Sequence, residues 1–214
     1  MTVFCDLDGT LIDSSARHAA LLRALLSEDF PEVPFTLEDY LAQKAEGLST
    51  RDYLLKKGLD RVEAQRISGG WVQHIEDRAY LESNTIYPDA LAFLELQRVA
   101  GRRIIFVSAR RNGDALMDTL RRLSIISFAE RVLIVPPIHA AQGKAEGILR
   151  FARAGDCLVG DTEADMDCAA AVGIRGFALN RGFRSRAYWD RRGLESYPNL
   201  MVVRDKIEEW KRNE

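Results

Sequence analysis

TVFCDLDGTL, residues 2–11, is the segment around which the rest of the sequence is arranged. The apolar run at residues 3–5 predicts a buried strand. Side chains two residues apart point to the same side of a strand, so Asp6 and Asp8 should leave its end near one point. Gly9 then permits a bend that a bulkier residue would resist. The chain therefore presents two carboxylates at the end of its first strand.

Two carboxylates held this close repel each other and raise each other's pKa. A cation between them, or a division of labour, relieves that repulsion. With magnesium present, one carboxylate can stay ionised as ligand and nucleophile, while the other exchanges a proton with a leaving group. The alternative is a capped turn, because Asp and Gly are common turn residues. The position of Asp6 and Asp8 directly after a buried strand favours a chemical site.

The second half of the chain alternates between short apolar runs and helical patterns. Alternation of this kind indicates parallel strands joined by right-handed crossovers. We predict strands at residues 103–108, 131–135, 157–160 and 175–179, and helices at 89–99, 112–123, 140–153 and 163–172. An edge strand at residues 200–203 and a terminal helix at 207–211 complete the prediction.

Residues 15–85 are nearly all helical in pattern and contain no predicted strand. The helices expected there cover residues 16–26, 36–45, 51–57 and 60–81, with Thr50 as the N-cap of the third. The first strand must therefore pair with the later strands, and the helical block is an insertion. The predicted fold class is α/β: a Rossmann-like parallel sheet flanked by helices (residues 1–14 and 86–214), with an inserted all-α domain (residues 15–85).

Polar side chains stand where the predicted strands end, and ligands of open parallel sheets gather at the carboxyl ends of the strands. Ser108 ends one strand and Asp161 follows another. Asp165 falls in the first turn of the next helix, where it can point back towards Asp161. Magnesium prefers octahedral oxygen ligands, which Asp6, Asp161 and the backbone carbonyl of Asp8 would provide. The alternative for Asp161 and Asp165 is an acidic helix N-terminus stabilised by the helix dipole.

Four features of the sequence, taken in order along the chain, resemble the four motifs of the haloacid dehalogenase superfamily. Residues 6–11, DLDGTL, are similar to its first motif, and Gly160-Asp161 followed by Asp165 is similar to its fourth. Ser108 matches the second motif, a Ser or Thr that closes a strand. Lys144 matches the third, although Ala145 stands where many relatives have proline.

Most members of this superfamily are magnesium-dependent phosphohydrolases. The resemblance implies that Asp6 attacks phosphorus and becomes an aspartyl-phosphate, while Asp8 gives and then takes a proton. Ser108 and Lys144 would neutralise and orient the phosphoryl oxygens. The implied Mg²⁺ ligands are Asp6, Asp8, Asp161 and Asp165, the last as a close or indirect partner. The implied phosphate-binding residues are Gly9, Thr10, Ala109 and Arg110.

The resemblance also explains the helical insertion as a cap that closes over the site, hinged near residues 9–13 and 81–87. Residues 44–51 resemble the cap loop of phosphoglycolate phosphatases and β-phosphoglucomutases. Lys44 and Arg51 could then bind a second anionic group of the substrate, or they could be solvated charges of an ordinary polar loop. Because a closing cap excludes bulky molecules, we expect a small phosphorylated metabolite as substrate. A phosphomutase would use the same Asp pair, and a non-catalytic binding protein on this fold is the more distant alternative.

The composition limits partners and location. The 214 residues are 47% hydrophobic, enough for one core plus a small satellite domain. A net charge of −2 gives no electrostatic reason to expect nucleic acid or an anionic membrane as partner. No apolar run approaches the ~20 residues that span a bilayer, and the start of the chain does not resemble a signal peptide. Cys5, Cys157 and Cys168 lack metal-ligand spacing and predict buried thiols in a reducing cytoplasm. The oligomeric state cannot be read from the sequence.

Overall fold

A computed structural model describes residues 1–213. Within them the chain forms eight strands: β1 (Thr2–Cys5), β2 (Ile12–Asp13), β3 (Thr85–Ile86), β4 (Arg103–Ala109), β5 (Arg131–Val135), β6 (Cys157–Gly160), β7 (Arg175–Leu179) and β8 (Ser196–Tyr197). Its helices are α1 (Ser15–Asp29), α2 (Leu37–Ala45), α3 (Thr50–Lys56), α4 (Arg61–His74), α5 (Arg78–Leu81), α6 (Ala90–Val99), α7 (Gly113–Arg122), α8 (Ala140–Leu149), α9 (Glu163–Val172), α10 (Arg186–Arg191) and α11 (Leu200–Arg212). A short 3₁₀-helix covers Ile126–Phe128.

Six of the strands form one parallel sheet in the order β5-β4-β1-β6-β7-β8. Strand β1 lies near its centre, with Val3 opposite Ile104 on one side and Cys157 on the other. Because side chains alternate along a strand, β1 supplies both faces of the sheet. Val3 and Cys5 pack into one apolar layer beneath helices, and Phe4 packs into the other. The α/β fold is confirmed, and β1 is buried on both faces.

Helices α1 to α4 share an apolar core of their own. Leu22, Tyr40, Tyr53, Leu54 and Ile67 are almost completely buried within it. The chain leaves and re-enters the sheet domain through β2 and β3, which pair antiparallel as a two-stranded ribbon. Local apolar pattern could not predict this ribbon, since each strand has only two residues. The inserted helical cap is thus present, and its exact boundaries at residues 15 and 85 stay a prediction.

The helix predicted at residues 60–81 is wrong as a single element, because α4 ends at His74 and α5 begins at Arg78. The break places the Glu76 carboxylate against the backbone of the sheet domain, where it accepts hydrogen bonds from the amides of Arg111 (3.0 Å) and Asn112 (2.7 Å). A tertiary contact therefore ends the helix where its local pattern would continue.

The predicted cap of α3 is displaced by one residue. Ser49, not Thr50, accepts the hydrogen bond from the Asp52 amide, at 3.1 Å. Thr50 instead starts the helix, and its buried hydroxyl lies 3.2 Å from the Tyr40 hydroxyl. Thr50, which we predicted to cap α3, thus contributes instead to the packing between α2 and α3.

The edge strand predicted at residues 200–203 is wrong, because this segment is the first turn of α11. The Asn199 side chain caps that helix by accepting from the Val202 amide at 2.9 Å. Leu200, Val203 and Ile207 then share its buried face at helical spacing. β8 occupies the sheet edge instead.

The three cysteines are buried and unpaired, as predicted. In the part of the chain that the structure describes, the helices lack the combination of length and apolar character that a bilayer-spanning segment needs.

Candidate active site and metal centre

Three neighbouring strands of the sheet end together at one edge. Asp6 follows β1, Asp161 follows β6, and Ser108 lies at the end of β4. The Asp6 amide donates to the Val159 carbonyl at 2.9 Å, which continues the pairing of β1 with β6 by one more residue. The side chains predicted to share a site are therefore brought together by the parallel register.

A tight loop after β1 shapes this edge. The Leu7 carbonyl accepts from the amides of Thr10 (3.1 Å), Leu11 (2.9 Å) and Ile12 (2.8 Å). Gly9 has a φ of +87°, and a Cβ atom there would collide with the Asp161 carboxylate. A residue with a side chain would therefore be strained at this position and would also displace an acidic group of the site.

Asp161 is completely buried and is held by two loops, one after β1 and one after β7. The Thr10 hydroxyl donates to its Oδ1 at 3.2 Å, and the Phe183 amide donates to its Oδ2 at 2.8 Å. Gly182 packs so closely that a Cβ there would also collide with Oδ2. Burial raises the pKa of Asp161 well above its usual range, and the nearby Asp6 charge adds to that shift. Thr10, predicted to bind phosphate, thus has its hydroxyl on Asp161.

Lys144 joins two acidic groups from the first turns of α8. Its buried Nζ donates to Asp6 Oδ1 and to Asp165 Oδ1, each at 2.6 Å. Burial alone would lower the pKa of this amine, but Asp165 and Asp6 hold it well above its usual value. Asp165 uses its second oxygen to accept from the Thr162 amide (3.1 Å) and hydroxyl (2.8 Å). Asp165 therefore positions Lys144, and Lys144 orients Asp6.

The acidic cluster suits a hard divalent cation. Asp6, Asp161 and Asp165 each offer a ligand oxygen within 4.8 Å of the others. Three carboxylates share one ammonium, so the buried cluster would carry excess negative charge if all three were ionised. Burial raises the pKa of Asp6 to about 7, against the lowering effect of Lys144. A cation would stabilise the ionised form of Asp6, which burial and then the neighbouring Asp165 charge disfavour, and oxygen donors match magnesium. The residues present therefore fit such an ion, with Asp6 and Asp161 as the acids facing each other.

Asp8 does not point its carboxylate into this cluster. Arg110 holds it at two points, with Nε to Oδ2 at 2.8 Å and Nη2 to Oδ1 at 2.9 Å. Arg17 adds a third contact, from Nη2 to Oδ1 at 3.0 Å. Burial would raise the pKa of Asp8, but the two guanidinium groups hold it well below its usual range. Arg110 was predicted as a phosphate ligand, and here it is paired with Asp8 instead.

A cleft of about 280 Å³ lies between this edge and the helical cap. Asp6, Asp8, Ser108 and Lys144 line it, and so do Ala109 and Arg110. The cap supplies several lining residues that the sequence reasoning missed, among them Arg17, His18, Trp71 and Ile75, and the loop after β7 supplies Phe183.

Arg17 and His18 could have been found from the pattern of α1. They precede Leu21 and Leu22 by four residues and therefore share the buried helix face. A charged residue on such a face indicates a partner inside the protein.

The two cap residues predicted to bind substrate have different surroundings. Arg51 has a side chain 55% exposed, and its nearest carboxylate is Asp52 at 4.0 Å. Lys44 is half-buried at the end of α2. Burial, followed by the Arg184 charge, lowers the pKa of Lys44 to about 8. Neither residue is among those that line the cleft. His18 does line it, and burial, Arg17 and then Lys44 lower the pKa of that ring, so the Lys44 charge lies close to the cleft.

Comparison with known proteins gives a family and a fold. A sequence profile described as haloacid dehalogenase-like hydrolase matches residues 1–173. No curated protein matches the chain.

Solved structures with the same fold include a haloacid dehalogenase-like hydrolase, SP0104, of Streptococcus pneumoniae, with 19% identity and a TM-score of 0.75, covering 96% of this chain and 97% of the other. A protein of Lactobacillus delbrueckii subsp. bulgaricus with the provisional name phosphoglycolate phosphatase has 19% identity and a TM-score of 0.76 over the same shares of the two chains. Protein Tyrosine Kinase A of Mycobacterium tuberculosis has 19% identity and a TM-score of 0.74, again over 96% and 97%. At this identity the likeness shows the fold and does not select a substrate.

Proposed function

The chain belongs to the haloacid dehalogenase-like hydrolase family, and we propose that it is a magnesium-dependent phosphatase that hydrolyses a small phosphomonoester through an aspartyl-phosphate on Asp6. The observation that carries this proposal is the pairing of Asp6 with Lys144 at 2.6 Å inside the buried acidic cluster. A carboxylate that is held at one oxygen by a fixed cation, and that lines a cleft, supports the proposal that Asp6 is the nucleophile.

In the first step an Asp6 oxygen attacks phosphorus as the bond from phosphorus to the ester oxygen breaks. In the second step water attacks the acyl phosphate, which releases inorganic phosphate and restores the Asp6 carboxylate. Lys144 keeps Asp6 oriented, and the Ser108 hydroxyl at the end of β4 contacts a phosphoryl oxygen.

Asp8 serves as the proton carrier for both steps. Its ionised form, held by Arg17 and Arg110, is ready to take the proton of the attacking water. To protonate the leaving oxygen first, Asp8 must take a proton from solvent as substrate loosens its ion pair with Arg17. Asp6, Asp161 and the carbonyl of Asp8 would hold Mg²⁺, which would supply positive charge for the phosphoryl oxygens.

The substrate proposed is a small metabolite. The cleft of about 280 Å³ is bounded by the sheet edge on one side and by α1 and α4 on the other, which leaves room for a molecule of a few carbon atoms and not for a folded protein.

The test is a panel of small phosphomonoesters with Mg²⁺, scored for released phosphate. We expect turnover by the wild type and a loss of at least about 10³-fold in Asp6→Asn, which keeps the shape and removes the nucleophile. Asp205→Asn, an exposed position on α11, is the matched control and should keep wild-type turnover. Isomerised sugar phosphate without free phosphate would identify a phosphomutase. Absence of any turnover, with folded protein, would indicate a binding protein.

A further inference from the structure

Arg17 carries buried hydrogen-bond donors that the protein leaves unused. Its side chain is 3% exposed and lines the cleft. Nη2 donates to Asp8 and lies 3.3 Å from His18 Nε2. Nε and Nη1 have no hydrogen-bond partner among residues 1–213. Unpaired donors on a buried charged group are costly, because water cannot reach them either.

The other charged groups near Arg17 have partners. Arg110 makes both of its contacts to Asp8. Arg111 donates to the carbonyls of Val72 and Gln73, and its amide donates to Glu76. Among the residues that line the cleft, the positive charge left over therefore belongs to Arg17, while the Lys44 ammonium lies outside that lining.

Apolar walls strengthen any ion pair formed there. Trp71, Ile75 and Phe183 line the same cleft. The His18 ring stacks on Phe183 with centroids 4.5 Å apart, and it meets Trp71 edge-on at 5.0 Å. Rings and aliphatic groups exclude water and lower the local dielectric, so an anion that reaches Arg17 is held more tightly than on an open surface.

The position of Arg17 tells which part of a substrate it would meet. It contacts Asp8, the residue assigned to the leaving oxygen, whereas Lys144 contacts Asp6 at the transferred phosphoryl group. Arg17 gives Asp8 one hydrogen bond and Arg110 gives it two. Arg17 can thus turn towards a ligand while Arg110 keeps Asp8 in place.

We propose that Arg17 binds a second anionic group, a carboxylate or a phosphate, carried by the leaving group of the substrate. This inference rests on the proposed phosphatase function and narrows its substrate class. Charge-assisted hydrogen bonds from Nε and Nη1 to such a group would satisfy donors that the protein leaves unpaired. Arg17 is then a specificity residue from the first turn of the cap.

The experiment compares substrates matched in the length of their carbon chain, one with and one without a second anionic group. One pair is 2-phosphoglycolate against ethyl phosphate, and the other is propane-1,3-diol bisphosphate against propyl phosphate. Variants Arg17→Met and Arg17→Lys are assayed with Mg²⁺ for kcat and KM on each substrate. Arg184→Met is the matched control, since Arg184 is another cap-facing arginine, 10% exposed, but is paired with Glu163.

In at least one pair, we expect Arg17→Met to lower kcat/KM for the member with the second anionic group about 10- to 100-fold more than for the member without it. Arg17→Lys should keep part of that preference, and Arg184→Met should keep all of it. The pair that responds identifies a carboxylate or a phosphate. An equal loss on both members of both pairs would overturn the inference, as would the same selective loss in Arg184→Met.

Binding to Asp6→Asn, measured by calorimetry with and without Arg17→Met, separates this inference from the proposed function. If the probes with a second anionic group bind more tightly, and this preference requires Arg17, the anion site is supported even where turnover is absent. If wild type hydrolyses the probes but Arg17 creates no preference in turnover or binding, the phosphatase proposal stands and the anion site is refuted.

Discussion

Replacing Lys144 with methionine removes the single ammonium of the acidic cluster while keeping a side chain of similar length. Lys144 is 3% exposed, and its two contacts to Asp6 and Asp165 are both 2.6 Å. The variant would leave three buried carboxylates with no cation among them. Breaking a buried ion pair by removing one partner costs about 3–5 kcal/mol. For a chain of this length, that corresponds to a fall in melting temperature of roughly 6–20 °C.

The loss should depend on pH. In wild type, burial raises the pKa of Asp6 to about 7 even though Lys144 lowers it. Without Lys144, that pKa rises further above its unfolded value. A carboxyl group whose pKa is raised by folding favours the folded state while it is protonated. That contribution is lost as the pH rises through the folded pKa. Lys144→Met should therefore be much less stable than wild type near pH 8 and closer to it near pH 5.

Thermal melts in EDTA at the two pH values measure this effect. The control is Lys206→Met, which removes an exposed lysine that pairs with Glu209 on α11, and its melting temperature should equal that of wild type. Added Mg²⁺ should restore part of the stability of Lys144→Met at pH 8, since it brings back positive charge. A variant as stable as wild type at pH 8, or a loss of equal size at both pH values, would refute the reasoning.

The remaining predictions concern the metal site and its glycines. Mg²⁺ added to EDTA-treated wild type should raise the melting temperature more at pH 8 than at pH 5.5, because protons compete for Asp6, whose pKa is raised to about 7. At 100 times its dissociation constant the ion would add about 2.7 kcal/mol, and an equal shift at both pH values would contradict the assignment. Gly182→Ala should destabilise the protein and weaken Mg²⁺ binding in a titration, because Gly182 has a φ of +69° and its Cβ would meet Asp161. Gly193→Ala shares the conformation, at +68°, but has open space around it. It should cost only the backbone strain of about 1–2 kcal/mol, and equal Mg²⁺ affinity in both variants would show that the contact with Asp161 is unimportant.

The sheet could be predicted because its strands are short apolar runs between turn-forming residues. Arg131–Val135, Cys157–Gly160 and Arg175–Leu179 have the predicted bounds. Once the strands are parallel, their carboxyl ends must meet at one edge, so the approach of Asp6 to Asp161 followed from the sequence.

The errors arose where distant contacts decide local structure. Residues 75–77 leave the helix because Glu76 binds backbone amides 35 and 36 positions later. Residues 200–203 are apolar and partly β-branched, which favours a strand, but the cap from Asn199 and the buried face of α11 make them helical. A local sequence pattern reveals neither the distant amides that Glu76 binds nor the surface against which α11 packs.

The surroundings of Asp8 were also beyond the sequence. Arg110 lies 102 positions from Asp8 and Arg17 lies 9 positions away on the cap helix. Each arginine follows one of the motifs in the sequence. The sequence does not show that both of them contact the same carboxylate. That choice depends on how the cap sits over the sheet edge.

Chemical trapping of the acyl phosphate tests the account most directly. Wild type quenched during turnover with Mg²⁺ and reduced with borohydride should contain homoserine at position 6 in peptide mass spectra, because borohydride reduces an aspartyl-phosphate to that residue. Protein treated without substrate should keep aspartate there. Full turnover with Asp6 unmodified, and the phosphoryl group found on another side chain or on none, would contradict the account.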